Sequence, residues 1–255
     1  MPNFLFKKQL LKVPFIIPVY IFIRKLLSWP RYVGDLINFT RQNDGRFLVK
    51  FRHLFPLLLD WTTTTNFEPH YIYHPAWAAR VIARVNPTKH IDIASTLHFS
   101  TIVSAFVPVE FYDYRPALLN LPNLISKPGD LTKLHFESNS VESLSCLHTI
   151  EHVGLGRYGD PIDPTGDIIA AKELARVLAL GGTFIFVTPV GKSKIAFNAH
   201  RIYSYEQVLA LFPELKVTEF SMVPDDYKTQ GLMLNADPKL VATQDWACGC
   251  FVFTK

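Results

Sequence analysis

The clearest alternation of apolar and polar positions predicts a helix followed by a buried strand. Apolar side chains recur at helical spacing across Asp167–Leu180, Asp167 can cap the first turn, and Gly181 can end the helix in the left-handed conformation. The next segment, Thr183–Val187, is an uninterrupted β-branched and aromatic run, which is typical of a strand covered on both faces. With a weaker strand upstream at Val141–Leu147, these elements form one crossover of a parallel α/β sheet.

The same reasoning predicts further elements on either side of this unit. Residues 71–255 are expected to form the main domain, and residues 1–70 an extension and connecting layer. The predicted helices are His74–Pro87 and Tyr205–Leu211, and the predicted strands are His90–Ser95, a short strand within Leu124–Phe136, Leu215–Val223 and Ala247–Lys255.

Composition narrows the class of protein. A chain of 255 residues with 49% hydrophobic residues can bury a sizeable core, and its net charge of +4 is too small and too dispersed to indicate nucleic-acid binding. The three cysteines include Cys248 and Cys250, whose spacing puts both thiols on one face of the last predicted strand. Because no zinc-ligand spacing accompanies them, we interpret them as buried small residues and predict no metal site.

The first 30 residues combine basic, aromatic and aliphatic side chains. The uncharged run Val13–Ile23 is shorter than the roughly 20 residues of a membrane-spanning helix, and Pro14 and Pro18 interrupt it. No small-residue cleavage site follows, so a secretory signal is not indicated. Two alternatives stay open, which are contact with the inner surface of a membrane by a cytoplasmic protein and packing against protein.

Polar residues with catalytic potential follow the predicted strand Val141–Leu147, at the strand end where α/β sheets bind ligands. His148 or His152 can act as a general base that Glu151 orients. If the segment were helical, the two histidines would also be spaced for a metal, which is a minority alternative without a third ligand. The other polar residues expected at this rim, as substrate contacts, are Arg157, Tyr158 and Asp160 from the same loop and Asn198, His200 and Arg201 from a second segment.

The predicted strand His90–Ser95 should lead into a cofactor loop that contains Ala94 and Ser95 and lies beside Asp92. This loop has no glycine, although close approach of backbone to a nucleotide normally requires one. About 20 positions after Asp92, Asp113 stands where a carboxylate can accept hydrogen bonds from both hydroxyls of a ribose. The alternative is a turn residue paired with Arg115.

Two motifs carry a resemblance to known families. LHTIEHV followed by ELARVLALGGTFIFVTP resembles the second half of class I S-adenosylmethionine-dependent methyltransferases. IEHVGLGRYGDPIDPTGD with FNAHRIYS resembles, more narrowly, a family catalogued as domain of unknown function 268, and the similarity covers Tyr71–Phe212.

The resemblance implies a three-layer, Rossmann-like α/β fold with a mostly parallel seven-stranded sheet whose last strand is antiparallel. It also implies S-adenosylmethionine as cofactor, with Asp130 and Leu131 at the adenine, although a Pro-Gly-Asp turn explains the same residues. Bacterial members of the family tend to accompany polysaccharide-biosynthesis genes, which implies methylation of a sugar or glycan oxygen. The alternative is a non-catalytic relative that binds a sugar phosphate through Arg157, Asn198, His200 and Arg201.

Overall fold

The structure is a computed structural model that describes residues 16–255, and it forms two compact units that divide between Asn66 and Phe67. In the first unit, helix α1 (Ile16–Gln42) contains Pro30, and a short 3-10 helix spans Phe51–His53. Predictions for residues 1–15 lie outside the described part of the chain. Among the described helices, none has the length and apolarity to cross a bilayer.

The second unit contains a seven-stranded sheet and five α-helices among its described residues. The helices are α2 (Pro69–Val85), α3 (Leu97–Val103), α4 (Gly166–Val177), α5 (Tyr205–Leu211) and α6 (Tyr227–Gln230). The strands are β1 (His90–Ile93), β2 (Val109–Asp113), β3 (Leu124–Pro128), β4 (Val141–Leu147), β5 (Leu178–Val190), β6 (Lys194–Ala196), β7 (His200–Ile202), β8 (Lys216–Val223) and β9 (Ala247–Thr254).

The sheet has the strand order β3-β2-β1-β4-β5-β9-β8. The first five strands of this order pair in parallel, and β9 runs antiparallel between β5 and β8. The antiparallel last strand is the one that the resemblance implies. Strands β6 and β7 form a separate antiparallel hairpin between β5 and α5.

Each face of the sheet carries its own apolar cluster, because β4, β5 and β9 are buried on both sides. One cluster joins α4 and α5 to side chains such as Phe184 and Phe251. The other joins α2 and α3 to Ile185, Cys248 and Cys250. Cys146, by contrast, belongs to the first cluster.

The observed bounds confirm two predicted elements and correct two others. β4 and α5 match their predictions, whereas α4 ends at Val177 rather than Leu180. Leu178 already pairs with Val141 of β4, so β5 absorbs the Gly-Gly turn. Helix α2 begins at Pro69 and not at His74, because a Glu68 carboxylate oxygen accepts a 2.8 Å hydrogen bond from the Tyr71 N–H and Pro69 suits the first helical position.

Candidate functional site

A cavity of about 450 Å³ lies at the carboxyl ends of β1 to β4. This volume falls within the range of pockets that bind small molecules and cofactors. Its wall contains six predicted site residues from the cofactor and catalytic sets, which are Ala94, Asp113, Asp130, Leu131, His148 and His152. The other lining residues are Ile93, Tyr114, Arg115, Gly129, Thr132, Thr149, Val153, Gly154, Tyr158, Asp160, Pro161, Asp163, Gly166 and Ile169.

The loop after β1 makes a left-handed turn without a glycine. Ala94 has a φ of 54°, its N–H donates to the Tyr112 carbonyl oxygen at 2.7 Å, and its own carbonyl accepts from the Thr149 hydroxyl at 2.9 Å. Two hydrogen bonds therefore hold a conformation that costs an L-residue roughly 1–2 kcal/mol. The exposed side chains of Leu97 and His98 do not line the cavity, so this loop does not fill it.

Asp92 and Ser95 lie beneath this loop and not in the cavity wall. The Asp92 carboxylate is fully buried and accepts hydrogen bonds from the hydroxyls of Ser95, Ser100 and Ser145. Burial raises the pKa of Asp92 to about 6, although the hydroxyl donors act in the opposite direction. Ser95 also accepts from the Leu147 N–H at 3.0 Å. Both predicted cofactor contacts therefore join β1 to β4 and the loops beside them.

Asp113 and Asp130 reach the cavity from the ends of β2 and β3. Asp113 Oδ1 accepts from the Arg115 N–H at 2.7 Å, and Asp130 Oδ1 accepts from the Thr132 N–H at 2.8 Å. The turns that we gave as alternatives are thus present at both positions. Each carboxylate nevertheless keeps its Oδ2 without a hydrogen-bond partner among residues 16–255, so turn formation and ligand binding are compatible.

The predicted catalytic residues form a connected group after β4. His148, which has a φ of 55°, places Nδ1 2.7 Å from Oε1 of the fully buried Glu151. The same oxygen lies 3.8 Å from His152 Nε2, and His152 Nδ1 lies 2.6 Å from the Ala199 carbonyl oxygen. Glu151 and His152 belong to a short 3-10 helix, Ile150–His152, so the helical spacing required by the predicted metal alternative is absent.

Protonation at this group favours a neutral His152 beside an ionised Glu151. Burial lowers the pKa of His152 below its ordinary value, and the Glu151 carboxylate counteracts only part of this effect. Burial raises the pKa of Glu151, but the neighbouring imidazoles of His148 and His152 and the hydrogen bonds to the carboxylate together outweigh burial and leave the pKa lowered. Because His152 Nδ1–H donates to the Ala199 carbonyl, its lone pair is on Nε2.

The glycine-rich loop beyond the 3-10 helix is organised by Asp160. Its carboxylate accepts from the N–H groups of Gly154, Gly156 and Tyr158 at 2.9, 3.3 and 3.1 Å. Burial raises the pKa of Asp160, and these N–H donors lower it to a value below the ordinary one. A side chain at Gly154 would collide with the Asp163 carbonyl, since an added Cβ would lie 2.0 Å from that oxygen. Asp160, predicted as a substrate contact, therefore also shapes the loop.

The two predicted polar segments do meet, but their members differ in availability. The exposed Arg157 donates from Nη1 to the Ala199 carbonyl oxygen at 3.0 Å, and His200 stacks on Trp246 with ring centroids 5.0 Å apart. Asn198 is exposed in the β6–β7 turn. None of these three lines the cavity.

Arg201 is buried, and its guanidinium is used within the protein. It donates to the Val153 carbonyl oxygen at 2.7 Å, and Nε lies 3.5 Å from the Asp167 carboxylate. The Arg201 guanidinium therefore connects the loop after β4 to α4. Because its donors are used in these contacts, its predicted role as a substrate contact has no support.

Sequence reasoning missed the residues behind His148. The His148 ring stacks on His70 with centroids 5.4 Å apart and tilts against His74 at 4.9 Å, while Cys248 Sγ lies 3.4 Å from His148 Nε2. The overlooked signal was the helix start, because Pro69 at the first position of α2 puts His70 and His74 one turn apart on one face.

Comparisons with known proteins agree with this geometry. Residues 127–222 match the model of the family described as "Caenorhabditis protein of unknown function, DUF268", which confirms the predicted resemblance over that stretch. No curated protein sequence is detectably similar to this chain. The crystal structure of the N-methyltransferase NodS from Bradyrhizobium japonicum WM9, in complex with S-adenosylhomocysteine, superposes with a TM-score of 0.51 at 12% identity and covers 72% of this chain and 87% of NodS.

A second structural neighbour is a protein from Galdieria sulphuraria that is provisionally named sarcosine dimethylglycine methyltransferase. It gives a TM-score of 0.50 at 13% identity and covers 71% of this chain and 85% of its own. The chain has the class I methyltransferase fold. In this class I fold, the cavity at the ends of β1 to β4 lies at the strand edge where α/β sheets bind ligands.

Proposed function

We propose that this protein is an S-adenosylmethionine-dependent methyltransferase that methylates a hydroxyl group of a small polar acceptor. The observation that carries the proposal is the cavity itself, into which Asp113 and Asp130 each present a carboxylate from the ends of neighbouring parallel strands. Leu131, which is 8% exposed, adds an apolar surface next to Asp130. A ribose, an exocyclic amine and a flat aromatic base require this combination of groups.

The residues present fit the adenosyl part of the cofactor. Asp113 Oδ2 is available to accept from ribose hydroxyls, and Asp130 Oδ2 is available to accept from an adenine amine, with Leu131 against the ring. The left-handed Ala94 supplies the sharp turn that a glycine usually provides. When bound, S-adenosylmethionine supplies an electrophilic methyl group on a sulfonium centre.

His152 is the general base in this proposal. It lines the cavity, is neutral near pH 7 because burial lowers its pKa, and its Nε2 lone pair can accept the proton of an acceptor hydroxyl. The Glu151 carboxylate, 3.8 Å from Nε2, stabilises the imidazolium that forms. His148 positions Glu151 through the 2.7 Å contact and does not itself need to accept the proton.

The acceptor side of the cavity is aromatic and cationic. The Arg115 guanidinium lies 4.5 Å from the centroid of the Tyr158 ring, and both residues line the wall. The Arg157 guanidinium lies 5.1 Å from the same centroid. The choice of a sugar or glycan as acceptor rests on the resemblance alone.

The alternative, a non-catalytic protein that binds a sugar phosphate, has weaker support. Its anion site was to be formed by Arg157, Asn198, His200 and Arg201. The guanidinium of Arg201 is buried against carbonyl oxygens and Asp167, so it is not available to a phosphate. Arg157 is the one guanidinium of this set that is exposed.

Calorimetric titration tests the proposal. We expect S-adenosylmethionine and S-adenosylhomocysteine to bind the full chain and raise its melting temperature. In Asp113→Asn the affinity falls by about 10- to 150-fold, because a hydrogen bond to a charged group contributes roughly 1.5–3 kcal/mol. Asp60→Asn, in the first unit, is the matched control and binds as the wild type does. If saturating ligand gives neither heat nor a thermal shift, the proposal fails.

We also propose that residues 1–30 contact a membrane surface. Support comes from the described part of α1, where Phe22 and Leu27 are 66% and 73% exposed next to Arg24 and Lys25. Flotation of the full chain with anionic liposomes, but not of a chain that lacks residues 1–30, is the expected result. If both chains stay at the bottom of the gradient with the unbound protein, the proposal is contradicted.

A further inference from the structure

Four side chains of types that bind metals, one of them His148, lie on the face of the sheet that α2 covers. His70 comes from the first turn of α2, His148 from the end of β4, and Cys248 and Cys250 from β9. One ligand atom each of His70, His148 and Cys248 lie within 4.8 Å of one another. The two cysteines are fully buried, and both histidines are less than 10% exposed.

The separations in this group are close to those of a tetrahedral metal centre. Metal–sulfur and metal–nitrogen bonds of about 2.3 and 2.0–2.1 Å put two ligand sulfurs about 3.8 Å apart and a sulfur and a nitrogen about 3.6 Å apart. Cys248 Sγ lies 3.9 Å from Cys250 Sγ and 3.4 Å from His148 Nε2. Cys248 Sγ and His148 Nε2 therefore need to move little to bind the same ion.

Glu151 orients His148 as a ligand. Its carboxylate faces His148 Nδ1 at 2.7 Å, so Nδ1 carries the proton and the Nε2 lone pair points toward Cys248. A carboxylate that accepts the outer N–H of a metal-bound histidine is the usual second layer of zinc sites, where it fixes the ring and raises its basicity. The hydrogen bond that would hold a metal-bound His148 is therefore already formed.

A thiol–imidazole hydrogen bond between Cys248 and His148 is the simpler explanation of the 3.4 Å contact. It accounts for one pair of atoms, but not for the His70 ring nitrogen that lies within 4.8 Å of both of them. A disulfide is not formed, since the sulfurs are 3.9 Å apart. Metal binding accounts for the approach of all three side chains to one another.

We propose that His70, His148 and Cys248 bind one Zn²⁺ ion. Two imidazoles and one thiolate are ligands that zinc prefers, and they occupy three corners of a tetrahedral centre, with the Cys250 thiol as the nearest further donor, 3.9 Å from Cys248 Sγ. The site joins three segments of the chain that are far apart in sequence. It also fixes His148, whose other side lines the cavity.

Metal analysis of the full chain, loaded with zinc under reducing conditions and then desalted, tests the site. We expect one zinc per wild-type chain, retention of that zinc in Cys146→Ala, and less than a tenth of it in Cys248→Ala and His70→Ala. Cys146 is the matched control, since it is equally buried in the sheet but belongs to the opposite face. Glu151→Gln should weaken zinc binding by about 10- to 100-fold.

Cobalt substitution tests the ligands without any variant that must fold. In the wild-type chain, Co²⁺ should produce a thiolate-to-cobalt charge-transfer band and the strong visible absorption of a tetrahedral centre. A zinc-free wild type, a cobalt complex without the thiolate band, or a Cys248→Ala chain that binds as much zinc as Cys146→Ala overturns the proposal. These readouts do not involve methyl transfer, so a failure to bind S-adenosylmethionine leaves them unaffected.

Discussion

The two sides of His148 differ in how their polar groups are held. On the cavity side, Asp113, Asp130 and Asp160 each bind backbone N–H groups within a few residues of themselves. On the other side, His70 and Cys248 come from distant parts of the chain. The cavity wall is a set of locally stabilised turns, whereas the cluster depends on the tertiary fold.

The two sides of His148 are therefore suited to different kinds of ligand. Local turns can present a carboxylate to a ligand without being rebuilt, because one carboxylate oxygen holds the turn and the other stays available. The buried cluster of His70, His148 and Cys248 has no comparable local support, because its members come from distant parts of the chain. We therefore expect the cavity to exchange small molecules and the cluster to hold a resident ion.

The largest expected effect is a loss of turnover without a loss of zinc when His152 is replaced. With an acceptor in hand, His152→Ala should lower kcat by about 10²- to 10⁴-fold, the usual contribution of a general base. Wild-type turnover should decline in acid, because the neutral base is lost as the pH falls through the lowered pKa of His152. Steady-state kinetics across pH, with zinc content measured on the same samples, gives both quantities. A His152→Ala enzyme with wild-type turnover contradicts the assignment.

The second largest expected effect is a loss of stability when the buried guanidinium of Arg201 is removed. Arg201→Met leaves Asp167 without its cation and removes the donors that bind the Val153 and Pro164 carbonyls. We expect a loss of roughly 3–5 kcal/mol in the free energy of unfolding by denaturant. Arg157→Met, which removes an exposed guanidinium, is the control and should cost less than about 1 kcal/mol. Similar losses in both variants would show that Arg201 is not a fastening residue.

The third prediction concerns the pH dependence of stability that the buried His90 causes. His90 is fully buried, its ring nitrogens lie 2.8 and 2.9 Å from the hydroxyls of Ser143 and Ser145, and burial lowers its pKa to about 3. Because the unfolded chain binds a proton near pH 6.5 that folded His90 does not, its contribution is complete above pH 6.5 and declines toward pH 3.

The wild type alone would hide this effect. The raised pKa of Asp92, about 6, acts in the opposite sense, since the folded state then binds a proton more readily than the unfolded state does. We therefore expect the stability difference between wild type and His90→Gln to shrink by about 3 kcal/mol from pH 7 to pH 4. Denaturant unfolding at the two pH values measures it. A difference that is independent of pH rejects the pKa assigned to His90.

The smallest expected effect concerns the loop without glycine. Ala94→Gly should stabilise the protein by about 0.5–1 kcal/mol, because glycine adopts the left-handed conformation without a steric cost. That gain corresponds to a rise in melting temperature of roughly 1–4 °C. Ala76→Gly, at an exposed position in the interior of α2, is the opposite control and should lower stability by about 1 kcal/mol. A fall in both melting temperatures would indicate that the Ala94 methyl group matters more than its backbone strain.

Short-range patterns were sufficient for most of the sheet. β4 and α5 were predicted at their observed bounds because polar residues follow Leu147 at once and because Ser204 with Gln207 forms a capping box at α5. α4 was predicted too long, since a strand pairing decides where it ends. Asp113 was assigned to the cavity from its spacing alone, and it lies there.

Long-range contacts account for what the sequence concealed. Arg201 reads as an exposed rim residue, but its partners Val153 and Asp167 are fixed only by folding. Cys248 and Cys250 were predicted to be buried, and they are. The His148 imidazole beside Cys248 was not predicted, because the two residues are 100 positions apart. Periodicity describes which face a residue occupies, but not what lies opposite it.

The most direct test of the central claim is a crystal of the full chain soaked with S-adenosylhomocysteine. We expect ligand density in the cavity at the ends of β1 to β4, with ribose hydroxyls within hydrogen-bond distance of Asp113 and the adenine beside Asp130 and Leu131. A cavity that stays free of ligand at saturating concentration, or a ligand bound elsewhere on the protein, would contradict it.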